Sequence, residues 1–266
     1  MMKIKLLLKL LGGLSSLAIA TSAFGGVLGS KHDLGTGGGA QGTTGNTTEV
    51  CVFCHTPHGS DISAAAPLWN KPLPDPATYQ RYSSLNTSSL DGAEVPVGSV
   101  SLACLSCHDG TQAMDLVINA PGPGNYNAAG APIGTIGPML GAPIPMLGTD
   151  LRDDHPISID YAGGACQGTL AACDPATATT GDPDFQPTQY ALINSTNQWW
   201  VDTAAGTAAQ RDKTDMILYT RSFVGGDGPS VECGSCHDPH EDTPRPVSFL
   251  RISNDNSDVC LACHIK

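Results

Sequence analysis

Residues 51–59 read CVFCHTPHG and residues 233–241 read CGSCHDPHE. Both carry Cys-x-x-Cys-His-x-Pro-His, and the Cys-x-x-Cys-His part recurs as CLSCH at 104–108 and CLACH at 260–264. This spacing is the attachment signature of c-type haem. The two thiols add across the porphyrin vinyl groups, and the following imidazole swings under the ring to the iron. One copy alone could equally be a redox pair or half a zinc site. Four of eight His directly behind a Cys pair is not a chance arrangement, and zinc knuckles have no need of a His in every copy. The spacing therefore predicts four covalent c-type haems. Thioethers would form at Cys51, Cys54, Cys104, Cys107, Cys233, Cys236, Cys260 and Cys263, with His55, His108, His237 and His264 as proximal iron ligands.

The other four His are His32, His58, His155 and His240, one for each remaining axial position. The count favours bis-His iron throughout. The alternative has Met114, Met139, Met146 or Met216 in place of one or two of them, which would raise the potential. An iron with both axial positions filled has nowhere to bind substrate and passes electrons. His58 and His240 each lie three residues after a proximal His, behind a stiffening proline. So short a link cannot reach the far side of the same ring, but it can reach the iron of a neighbouring haem. Each pair thus reads as a staple between two stacked haems.

Lys3, Lys5 and Lys9, an apolar run to Ala20 and small residues to Ala23 have the order of a secretory signal peptide over 1–23. The run is too short and too interrupted to span a membrane. Its removal leaves ten basic residues against 25 acidic, a formal charge of −15. So acidic a chain is a poor partner for nucleic acid. The sequence predicts an exported protein at the cell surface, outside the cell or otherwise in the periplasm. Cys166 and Cys173 have no His behind them, and two leftover thiols in an oxidising compartment most often form a disulfide.

Residues 24–266 read as a single tetrahaem domain with two haem pairs at its ends, separated by residues 109–232. Within 120–148, 13 of 29 residues are Gly or Pro, which excludes a regular helix and suggests an extended coat over a haem face. Charged residues are only 14% of the chain, which argues against a helical bundle. The expected fold has little regular secondary structure, with short helices and strands wrapped around a stacked haem chain. Short strands are expected around Met216, Leu218 and Val224 and around Val247, Phe249 and Leu250. A brief helix capped by Asn256 or Ser257 should lead into Cys260. Trp69, Trp199 and Trp200 read as haem-packing or core residues. Asp150, Asp153, Asp154 and Asp160 read as an acidic turn in preference to a calcium site.

With PLWN at 67–70 and DHPIS at 154–158, the motifs resemble those of multihaem c-type cytochromes of the doubled Cys-x-x-Cys-His kind. The resemblance covers both ends of the chain and, between them, only the surroundings of His155. It implies electron transfer to redox partner proteins or extracellular acceptors. Some such cytochromes polymerise into extracellular filaments, and others are soluble periplasmic carriers. Head-to-tail self-association is expected here, with His32 acting either within its own chain or across the contact. The competing reading is a haem oxidoreductase with one open axial position, acting on a nitrogen or sulfur compound.

Overall fold

The computed structural model describes residues 26–35, 47–120, 137–139, 145–241 and 249–265. The signal segment 1–23 and most of the coat 120–148 lie outside these residues.

The centre is an antiparallel sheet built wholly from the stretch between the second and third motifs. Its strands are β1 (Ile159–Asp160), β2 (Gln189–Ile193), β3 (Thr196–Val201), β4 (Met216–Phe223) and β5 (Gly226–Val231), in the spatial order β1-β5-β4-β3-β2. Two tight hairpins set the register. Asn194 and Ser195 both take positive φ, the backbone that a two-residue turn requires, and they pair Ile193 with Thr196. The second hairpin pairs Phe223 with Gly226. Val224 lies in its turn, fully exposed, so the expected strand ends one residue earlier.

Trp199, Val201, Met216 and Leu218 stand on the sheet and close over Tyr161 and Cys166 as the main apolar cluster. A Cys166–Cys173 disulfide sits at its edge. Trp199 and Trp200 pack in the protein core, as residues of their size do when they can be covered.

Helices are few among the described residues. α1 (Ser99–His108) carries the second motif, α2 (Cys233–Cys236) the third, and α3 (Asp258–Leu261) leads into the fourth. α3 begins after Ser257 as expected, but Ser257 is left-handed and its hydroxyl caps no backbone amide. Of the second expected strand, Val247 lies outside the described residues. Phe249 has a positive φ, and Leu250 makes only an isolated bridge to His237, so this segment turns. None of the described helices is long and apolar enough to cross a membrane. Few helices and one small sheet amount to little regular structure.

The sheet positions the motifs. β5 runs directly into Glu232 and α2, which packs on β4 and on α1. At this junction the Glu232 carboxylate is buried and accepts hydrogen bonds from Ser101 and Ser158 Oγ at 2.6 and 3.1 Å. It also accepts from Ser230 Oγ and Arg221 Nη1 at 3.0 and 2.9 Å. Three serines and one guanidinium satisfy a carboxylate that burial would otherwise make costly.

Candidate functional site

Each motif forms a single helical turn. The amide of His55 donates to the carbonyl of Cys51 at 2.8 Å, His237 to Cys233 at 3.1 Å and His264 to Cys260 at 2.9 Å, while the second motif ends α1. An i to i+4 bond stacks the His above the first Cys and sets both sulfurs on one side. Three of these His are pinned by isolated antiparallel bridges: His55 to Trp69, His237 to Leu250 and His264 to Phe185. In the third motif, a methyl group on Gly234 would lie 3.1 Å from Val100 Cγ1 and closer still to the Tyr219 hydroxyl, so no larger residue fits.

The thiols cluster. Cys104 hydrogen-bonds Cys233, which pulls Cys233 below the ordinary thiol range. Burial pushes Cys54 and Cys263 up to about 12 and Cys236 to about 11, so these sulfurs are held protonated.

The imidazoles meet across the molecule. His55 faces His240 with ring centroids 6.0 Å apart, His108 faces His32 at 6.2 Å and His264 faces His155 at 6.4 Å. Two imidazoles on opposite sides of one metal ion have centroids about 6.2 Å apart, from a metal–nitrogen bond of about 2 Å and about 1.1 Å from nitrogen to ring centre. In every pair one ring follows a Cys pair and the other does not. His237 and His58 are the two imidazoles outside these pairs; His58 is exposed, while burial and the neighbouring His108 hold His237 below the usual imidazole range.

The tautomers fit the same purpose. Nδ1 of His55 and of His108 each donates to a proline carbonyl at 2.6 Å, from Pro67 and Pro145 respectively. Nδ1 of His155 donates to Pro156 at 2.9 Å and that of His32 to Pro239 at 3.2 Å. A carbonyl can only accept, so Nδ1 keeps the proton and the Nε2 lone pair is free for a metal. A proline has no amide hydrogen of its own to compete. At His240 the Asp238 carboxylate takes the carbonyl's place, 3.6 Å from Nδ1, and holds the imidazole above its usual range. Aromatic neighbours fix the rings: Phe249 stacks on His32 at 4.1 Å, Trp69 meets His55 edge-on at 6.2 Å, and Phe185 lies 4.4 Å from His264. Beside the His155–His264 pair is a cleft of about 530 Å³, within the range that takes one cofactor-sized ligand. Sulfurs, paired rings and tautomers all fit haem.

Met114 and Met139 are buried in an apolar cluster with Leu34 and Phe53, and Met216 in the sheet core, which gives these methionines packing roles. Asp150 is tied to Arg152 at 2.6 Å and Asp160 is buried against the Ala93 amide, and the acidic turn gathers no metal-binding cluster among the described residues. Sequence reasoning quoted Asn70 only as the end of PLWN and missed Lys71; both are fully buried between the first and second motifs. It also missed the proline carbonyls, although Pro67, Pro156 and Pro239 stand within the quoted motifs and Pro145 within the coat.

A family model described as doubled CXXCH motif matches residues 227–266, which take in all but the first residue of β5, together with the third and fourth motifs. No curated protein matches the chain. The matched segment is a multihaem c-type cytochrome-like feature, and its motifs imply covalently bound c-type haem.

Proposed function

We propose that the chain is an exported electron conduit with four covalent haems, each iron held between two imidazoles, and that copies join head to tail. The observation that carries this reading is the three facing ring pairs at 6.0–6.4 Å, which leave a bound iron no exchangeable position. In that reading His240 binds the iron of the first motif while His237 binds its own, so the third motif staples two haems. Export is supported by the order of residues 1–23 and by the disulfide, which belongs in an oxidising compartment. The partners are redox proteins or extracellular acceptors.

Haem supplies one-electron chemistry at iron. The chain's own part is to fix the rings, hold the Nδ1 protons and keep substrates away from the metal. Intact mass after acid extraction tests the count: four retained haems add about 2.5 kDa. The same protein, reduced, should show low-spin iron. A mass increment that stays the same when Cys104 is replaced would sink the assignment.

A second reading rests on His237, which forms no ring pair with another imidazole among the described residues. An iron there with an open position would make the protein a haem oxidoreductase acting on a nitrogen or sulfur compound. Carbon monoxide binding by undamaged, non-assembled protein would favour that reading.

A further inference from the structure

We infer that Lys71 is a built-in potential-setting charge for the first two haems. The inference rests on the haem reading above and goes beyond it to the order in which the irons are reduced. Lys71 is completely buried. Its Nζ donates to the carbonyls of Leu116, Ala113 and Met114 at 2.8, 3.0 and 3.2 Å. Three acceptors require three N–H bonds, which only the ammonium has, so the charge is present. Asn70, the residue before Lys71, donates its amide to the Cys54 carbonyl at 2.9 Å, and Met114, whose carbonyl the ammonium bonds, packs with Phe53 and Cys107 in one apolar cluster. Cys54 and Cys107 are the second attachment points of two neighbouring motifs.

Lys71 makes no ion pair among the described residues. The third motif offers a contrast. There Arg251 acts on Cys236 but lies 4.0 Å from the Asp238 carboxylate, so its charge is balanced. A buried cation beside two attachment cysteines destabilises ferric iron, which carries one more positive charge than ferrous. Away from water that effect is poorly screened. The first two haems are therefore reduced at higher potential than an uncharged residue at position 71 would allow.

The test is Lys71→Met in the full chain, followed by redox titration. The expected result is a fall of about tenfold in the ferrous-to-ferric equilibrium constant, or about 59 mV for one electron, at one or both of the first two haems. The other midpoints should hold. All haems retained with every midpoint unmoved would overturn the inference and leave Lys71 a structural staple. If the variant does not accumulate, the wild type decides by electron paramagnetic resonance. The His55–His240 rings are only 18° from parallel, against 74° and 60° in the other pairs, so their iron has a distinct rhombic low-spin signal. Disappearance of that signal in the high-potential half of the titration supports the inference, and disappearance last overturns it. Wild-type protein without covalent haem would overturn the haem reading itself, a failure told apart by mass alone.

Discussion

At the scale of single residues, a buried carboxylate stands directly before an attachment cysteine. Glu232 precedes Cys233, and burial raises its carboxyl above the ordinary range although Arg221 and the serines draw it down. A raised carboxyl favours the protonated form in the fold, so its stabilising share is complete at low pH and is lost as pH climbs through the folded value. Arg221 offsets that loss from 2.9 Å away. Arg221→Leu should therefore destabilise the protein by about 3 kcal/mol near neutral pH, the cost of leaving a buried charge unpaired. The deficit should shrink on acidification, as Glu232 takes up a proton. Denaturant midpoints of wild type and variant at about pH 7 and about pH 5 check the sign. A deficit independent of pH would show that Glu232 is not the group responsible.

At the scale of elements, the sheet is the anchor and the motifs are short turns fastened to it. The disulfide joins the turn after β1 to the loop before β2, beside the Tyr161–Trp199 cluster. It closes a loop of eight residues, worth about 2.5 kcal/mol on the chain-entropy model. Replacing both Cys166 and Cys173 with Ser should lower unfolding stability by about that amount and leave the haem count unchanged in the mass spectrum. Loss of a haem instead would mean that the loop also shapes an attachment site. The motifs were legible in the sequence because their chemistry is local: two sulfurs and one imidazole within one helical turn. The sheet was largely illegible, because Trp199 pairs with Leu218 and Tyr219 with Ser230 through distant contacts that no short pattern announces. The ring pairs were illegible for the same reason, since His55 finds His240 and His32 finds His108 only after folding. Lys71 reads as a surface residue in any sequence, and only the three converging carbonyls reveal the buried ammonium.

At the scale of the whole molecule, two imidazoles and one repeated local spacing motivate a test of the proposed assembly. His55-Thr-Pro-His58 and His237-Asp-Pro-His240 share one spacing, and the ring of His240 faces a proximal His of another motif. By the same spacing His58 should face a proximal His other than its own, and His237 is the one left. The two do not face each other within the chain. A second copy would resolve both needs at once, with His58 of one protomer opposite His237 of the next. His32, already opposite His108, is not required at that contact. Such a contact would be heterologous and would repeat without closing, so it would build a filament. Ile62 and Leu68 follow His58 in the same loop, 96% and 52% exposed, and would be covered by the neighbour. Electron microscopy of the wild type should show extended particles. His58→Ala should yield single protomers in which one iron is high-spin and binds carbon monoxide. Unchanged filaments with every iron low-spin in the variant would rule out the ligand exchange. Single wild-type protomers with every iron low-spin would rule out the polymer, and single wild-type protomers that bind carbon monoxide would turn the third haem from a relay into a candidate site of catalysis.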